Sequence, residues 1–350
     1  MARRRQSVTI KHVAADAEVS LQTVSRVINK EPNVSAAMKE RVQASIDKLG
    51  YVPSIAAQRM SGSRSYLILA LNDRERTIAQ WRAREGNDWV DQMLLGGMLK
   101  CAEHGYRMLI ELVDTHDDHI ERELTAAIAS LQPDGIILTP PHSHNPKITA
   151  LLAANNIPFV RVGSRSEGPG IPVSMEDEDS ARMATEHLHK FGHKRIGFIA
   201  GSPEYNLSRW REDGWRATME ELGLSTKGLF AEGEFTLESG MRATRELLQR
   251  PDRATAIIAS NDQMAFGALR VAEELGLSVP RDLSLISFDN SPGVRFSLPA
   301  LTAIDQPIAE TASVAAELLI ATQRGQSPDV ERISIPAQLI ERESVAAPVA

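Results

Sequence analysis

From Tyr66 onward, short apolar runs alternate with amphipathic stretches of helical period, and this alternation constrains the fold more than any other feature of the chain. Candidate strands are Leu67–Leu71, Arg107–Leu112, Gly135–Leu138, Phe159–Val162, Arg195–Ala200, Ala256–Ala259 and Leu283–Phe288. Between them lie candidate helices Asp91–His104, Glu121–Leu131, Asp179–Phe191, Trp210–Leu222, Leu237–Gln249, Asp262–Glu274 and Glu310–Thr322. Strands that alternate with helices pair in parallel and are buried on both faces, so the pattern predicts parallel sheets covered by helices. The stretch, about 285 residues, reaches the length at which one core stops growing, so two lobes with a cleft between them are expected. Ligands in such folds bind at the carboxyl ends of the strands.

The first sixty residues follow a different grammar. Thr9 can cap a helix with Ile10, Val13, Ala14 and Ala17 on one face, and Ser20 can cap a second, Leu21 to Asn29, that buries Val24, Val27 and Ile28. Only Ala17-Glu18-Val19 separates them, which predicts a helix-turn-helix whose second helix presents its N-terminal face to a major groove. Ser35 opens a third helix, Ala36 to Leu49, with Met38, Val42, Ile46 and Leu49 inward and Gly50 as a left-handed stop. Pro53 keeps Tyr51-Val52 extended. Ser54 then caps a short segment, Ile55–Met60, that is too short to be helical alone in water and orders against a partner, DNA or a second copy of itself.

Charge divides at the same place. Residues 1–62 hold 10 basic against 5 acidic side chains, whereas the remainder holds 29 against 41, although the whole chain is only −7. A basic head on an acidic body points to a polyanionic partner for the head. No apolar run is long enough for a membrane helix, and Met-Ala-Arg-Arg-Arg-Gln-Ser is not followed by the apolar stretch of a signal peptide, so a cytoplasmic location without membrane contact is expected. The single cysteine, Cys101, reads as packing. His187, His189 and His193 lack a carboxylate arrangement that would complete a metal site, and His142 and His144 read as loop residues. Neither a phosphate-binding glycine loop, a Gly-x-Ser-x-Gly elbow nor a His-Glu-x-x-His pair occurs. Neither catalysis, a cofactor nor a bound metal is expected.

Thr9-Ile-Lys-His-Val-Ala, Val19-Ser-Leu-Gln-Thr-Val-Ser-Arg-Val-Ile-Asn29, Val34-Ser and Gly50-Tyr-Val-Pro53 closely resemble the DNA-binding head of lactose-repressor (LacI/GalR) family transcription factors. Gly192-His-Lys-Arg-Ile-Gly-Phe-Ile-Ala-Gly201, Arg211-Glu-Asp-Gly-Trp215, Ser260-Asn-Asp-Gln-Met-Ala265 and Leu285-Ile-Ser-Phe-Asp289 look like that family's sugar-binding core. The resemblance implies an N-terminal all-α helix-turn-helix head over 1–53 and a hinge helix and linker over 54–63. A two-lobed, periplasmic-binding-protein-like α/β core then spans 64–350, its lobes being 64–173 plus 307–337, and 174–306. It also implies a homodimer on a near-palindromic double-stranded operator.

By position, Leu21, Gln22 and Arg26 fall where the family reads base edges, Thr23, Ser25 and Asn29 where it holds the DNA backbone, and Met60 where an apolar wedge enters the minor groove. Arg211, Asn261 and Asp289 match the family's hydroxyl-binding positions, Phe235 an aromatic wall and Gln306 a crossing segment between lobes. Bland readings stand beside these: Asp289 could cap a turn, and Asn261 could cap the helix starting near Asp262.

Three departures stand out. His12 replaces a usual aspartate, and Glu18 a usual glycine. Asn72–Val90 is inserted charged sequence, read either as reshaping the ligand site, with Trp89 stacking on a sugar and Asp88 or Asp91 accepting from hydroxyls, or as an exposed loop. The resulting expectation is a repressor of carbohydrate-utilisation genes relieved by a small sugar. Xylose is the first candidate, from the likeness of Asp88–Met98 to pentose-responsive members; glucosides and maltose-type sugars stay open. Other readings are a corepressor-dependent or activating relative, a carbohydrate-binding transport protein and a sugar-acting enzyme.

Overall fold

Thr9 and Ser20 open the first two helices as their side-chain chemistry dictates. The Thr9 amide donates to His12 Nδ1 at 3.0 Å at the start of α1 (Ile10–Asp16), and the Thr23 amide donates to Ser20 Oγ at 3.1 Å at the start of α2 (Leu21–Ile28). His12 thus does the capping work expected of the usual aspartate. The intervening Glu18 takes a left-handed φ of 52°, so this turn has the geometry a glycine would give but with a side chain attached. The third helix, α3 (Ala36–Leu49), ends on Gly50 at φ 60°. Val13, Val24 and Val42 are fully buried between the three helices, with Val27 and Ile28 only partly covered. Glu18→Gly is expected to stabilise this unit by about 1 kcal/mol, read as a raised urea midpoint of the three-helix unit; an unchanged or lower midpoint would show that the turn is unstrained.

The computed structural model describes residues 8–28, 31, 33–51, 64–84, 86–116, 119–326 and 332–349, and the chain divides between Tyr66 and Leu67 into two units. The expected Ile55–Met60 helix, Asn29 and Met60 lie outside the described residues.

The second unit contains two sheets. In chain order its elements are β1 (Leu67–Asp73), α4 (Arg74–Ala83), α5 (Asp88–Glu103), β2 (Arg107–Val113), α6 (Ile120–Leu131), β3 (Gly135–Leu138), α7 (Pro146–Ala154), β4 (Phe159–Val162), β5 (Ile171–Ser174), α8 (Asp177–Lys190) and β6 (Ile196–Ile199). Then follow α9 (Asn206–Glu221), β7 (Phe230–Ala231), α10 (Leu237–Leu248), β8 (Ala256–Ala259), α11 (Asp262–Glu274), β9 (Ser284–Phe288), α12 (Pro292–Phe296), β10 (Thr302–Asp305), α13 (Ile308–Gln323), β11 (Ile333–Ser334) and β12 (Gln338–Ile340). The first sheet runs β11-β5-β4-β3-β1-β2, all parallel, and the second β12-β10-β9-β8-β6-β7, parallel except for β12. The chain therefore passes between lobes three times, at β5 to α8, β10 to α13 and β11 to β12. Asn72–Val90, one reading of which was an exposed loop, instead extends β1, forms α4 and starts α5, with Asn87 accepting the Val90 amide.

The Arg-Glu-Asp-Gly-Trp run shows why each residue is there. Trp215 is fully buried, stacked on Phe198 at 5.4 Å, and its indole N–H donates to the Ile196 carbonyl at 3.2 Å. Gly214 lets α9 lie directly on α8, since a Cβ there would come within 2.2 Å of the Glu178 carbonyl oxygen. Arg211, one turn earlier, is thereby held against the cleft.

Candidate functional site: the cleft between the lobes

A cavity of about 380 Å³ opens between the two sheets. β1, α4 and the start of α5 supply Asn72, Asp73, Arg76, Asp88, Trp89 and Asp91 from one lobe; the other lobe supplies Tyr205, Arg211, Phe235, Asn261, Asp262, Phe266 and Asp289. The sequence-selected residues Arg211, Asn261, Asp289, Phe235 and Trp89 thus share one cavity, as do Asp88 and Asp91. Trp81, the other tryptophan of Asn72–Val90, is not among the lining residues and is 52% exposed. Gln306 is buried behind Arg211 and is not part of the lining.

Arg211 is the hub. Its Nε donates to Asp177 Oδ1 at 2.9 Å, its Nη2 to Gln306 Oε1 at 2.9 Å and its Nη1 to the Ser260 carbonyl, while the guanidinium lies 4.7 Å from the Phe288 ring centroid. Gln306 Nε2 donates to the same Asp177 oxygen at 3.1 Å. Asp177 and Gln306 stand on two of the three inter-lobe crossings, so a residue facing the cavity also binds the segments about which the lobes would turn. The planar fork leaves N–H groups over for a ligand, which a lysine could not do.

Asn261 caps α11 and lines the cavity: its Oδ1 accepts the Met264 amide at the start of α11 and its Nδ2 donates to the Phe235 carbonyl at 3.0 Å. Phe235, at φ 58°, lays its ring on Gly201, where a Cβ would sit 1.9 Å from Phe235 Cζ, and meets Tyr205 edge-on at 5.6 Å. Asp289 ends β9 at φ 91°. Burial pushes its carboxyl up from the usual range, with Arg211 pulling the other way and Asp88 adding to the rise. Burial likewise raises Asp262, reinforced by Asp289, and raises Asp88, reinforced by Asp91. These three carboxyl groups, Asp88 on one lobe and Asp262 and Asp289 on the other, offer oxygens to hydroxyl donors.

His142, expected in a loop, is instead fully buried in a 3-10 turn (His142–His144), its Nε2 2.9 Å from the Val113 carbonyl. His193 is buried and bridges Thr255 Oγ1, Ser284 Oγ and the Ala346 carbonyl at 2.8–3.0 Å. Among the described residues no group of three or more His, Cys, Asp or Glu could hold a metal ion. No described helix is long and apolar enough to cross a membrane.

Sequence reasoning missed Asp73, Arg76, Tyr205 and Phe266 as cavity groups. Asp73 accepts the Arg76 amide at 2.9 Å on one carboxylate oxygen and the Tyr205 hydroxyl at 3.0 Å on the other, joining the lobes. A tyrosine just ahead of the Arg211 helix was the one available signal.

A helix-turn-helix unit on the same chain as a two-lobed α/β core around a cavity defines a class, the helix-turn-helix transcriptional regulators. The profile described as bacterial regulatory proteins, lacI family, matches residues 9–54, and that of a periplasmic binding protein-like domain matches residues 185–345. The regulator CelR of Thermobifida fusca is 32% identical over 349 residues, covering 97% of this chain and 99% of its own; the lactose operon repressor of Escherichia coli is 28% identical over 347 residues, covering 97% and 91%. The chain belongs to the lacI family of bacterial regulatory proteins. Among solved structures, a CelR–cellobiose complex aligns with TM-score 0.72 at 28% identity (96% of this chain, 99% of the other). A lac repressor dimer bound to operator and the anti-inducer ONPF aligns with TM-score 0.78 at 26% identity (98% and 100%).

Proposed function

We propose that this regulator represses carbohydrate-utilisation genes from a near-palindromic operator as a homodimer, and that a small neutral sugar in the inter-lobe cavity releases it. The observation that carries the reading is the gathering of Arg211, Asn261, Asp289, Phe235 and Trp89 around one cavity. Its lining holds Asp73, Asp88, Asp91, Asp262 and Asp289 against Arg76 and Arg211, and Asp177 already answers Arg211. Hydroxyls meet carboxyl acceptors there, and the burial that raises Asp88, Asp262 and Asp289 limits the charge they present. At about 380 Å³ the cavity falls within the ~300–1,000 Å³ of pockets that take drug-sized ligands, larger than one pentose. Xylose would leave much of it to water, so a two-ring glucoside such as cellobiose, the ligand of the CelR structure, is the better first probe.

For DNA, Leu21, Gln22 and Arg26 are exposed on α2, with Gln22 and Arg26 one turn apart on one face, as reading base edges requires. Thr23 and Ser25 take the backbone role, Thr23 with its hydroxyl 2.9 Å from Ser20 Oγ. Asn29 and Met60 keep the roles proposed from sequence. The proposal keeps the division into a head (1–53), a linker (54–63) and a core (64–350), beside a contact boundary between Tyr66 and Leu67. For dimerisation, Leu95, Met98 and Leu99 are about half exposed on α5 beside Leu109 on the edge strand β2, and Phe296 and Leu298 are 82% and 92% exposed near α12. Apolar groups so placed suit a second copy.

The test is binding to DNA from upstream of the protein's own gene with and without a sugar panel that includes xylose and cellobiose. Release by one sugar supports the proposal, DNA binding only in the presence of sugar replaces it with corepression, and indifference to every sugar rejects the carbohydrate. Trp89→Ala is expected to weaken the sugar response about tenfold with operator binding intact, in line with ~0.5–1.5 kcal/mol for one aromatic contact; an unchanged response removes Trp89 from the site. Arg26→Ala should cost ~1–3 kcal/mol on cognate DNA and far less on scrambled DNA, and equal losses would refute base reading.

A further inference from the structure

α4 brings a cation onto the aromatic wall of the cavity. The Arg76 guanidinium lies 4.8 Å from the Phe235 ring centroid and 5.3 Å from that of Tyr205. Its Nη1 donates to the Glu234 carbonyl at 3.2 Å and its Nη2 to the Phe235 carbonyl at 3.5 Å. Arg76 belongs to the first lobe and all four of these partners to the second. The helix that carries it is fixed at its start by Asp73, whose other oxygen holds Tyr205.

A guanidinium is flat, carries its donors at the rim and stacks on aromatic faces; a pyranose likewise offers a C–H face to an aromatic ring and donors around its edge. We propose that Arg76 is an internal occupant of the ligand's aromatic platform: it straps the lobes together in the empty protein, and the effector must displace it to reach Phe235. Arg76 thereby sets effector affinity and selects for ligands that replace its stacking and its two carbonyl contacts. This inference rests on the cavity being the effector site. Besides the Asp73–Tyr205 bond, which shares the lining, further ties lie outside it, among them Arg165 over the Trp210 ring at 4.7 Å and His116 Nε2 to Glu204 Oε1 at 2.9 Å. These can persist when a ligand enters, whereas the Arg76 contact competes with it.

The experiment compares full-length wild type with Arg76→Ala in two ways: calorimetric titration with cellobiose, and small-angle scattering without ligand. Arg76→Met, which keeps the stem but not the cation, serves as a second variant should the alanine protein fold poorly. The strap predicts cellobiose binding tighter by about threefold to thirtyfold, the range a cation–π contact spans, together with a larger ligand-free radius of gyration. Unchanged or weaker binding with unchanged scattering overturns it, since Arg76 would then be a ligand contact or a bystander. If cellobiose binds neither protein, scattering alone decides the strap, an expanded variant supporting it and an unchanged one overturning it. The missing binding then counts only against the carbohydrate reading.

Discussion

Arg211→Ala is expected to abolish the sugar response and to destabilise the core by about 3–5 kcal/mol, the cost of leaving a buried ionic partner uncompensated. Asp177 is as buried as Arg211, and after the substitution it keeps only the Gln306 amide at 3.1 Å. The loss is measured as a lowered urea midpoint of the core together with calorimetric titration. Arg211→Lys should recover part of the stability, because it restores charge, but little of the response, because an ammonium cannot serve Asp177, Gln306, Ser260 and a ligand from one plane. A stable Arg211→Ala protein with a normal response would show that the hub neither holds the crossings nor touches the effector.

Val24→Asp should eliminate operator binding while sugar binding continues. Val24 is fully buried in a core built from three short helices, and a carboxylate placed there has no partner, so it must stay protonated or unfold its surroundings. So small a unit has only a few kcal/mol in hand, less than this change removes. The unit beginning at Leu67 has its own cores, so titration with the active sugar should give wild-type affinity. Retention of operator DNA by Val24→Asp would mean that α2 is not held in place by this core.

Legibility followed the density of local signal. Gly135–Leu138, Phe159–Val162 and Ala256–Ala259 are dense apolar runs in central strands, and their boundaries could be read to the residue. β5 contains Pro172, and β7 and β11 have two residues each, so these strands are defined by their neighbours and carry no period of their own. α4 was missed for a different reason. Arg74–Ala83 is polar on nearly every face, buries only Thr77 and is held by the Asp73 cap, by Arg74 on the Leu112 carbonyl and Glu123, and by contacts across the cleft. The site divides in the same way: Arg211, Asn261 and Asp289 sit in recognisable runs, whereas Arg76 and Tyr205 meet from positions far apart in the chain, and only the folded lobes bring them together.

Three passages between the lobes have a consequence for synthesis on the ribosome. The first sheet is covered by α13 and edged by β11, both of which leave the ribosome after all of the second lobe except β12 and the residues around it has been made. At bacterial elongation rates the roughly 130 intervening residues take on the order of ten seconds, during which one apolar face of an unfinished sheet stands open. The nascent chain therefore exposes a surface for chaperones over that interval, and a message truncated before residue 308 yields two incomplete lobes and no intact one.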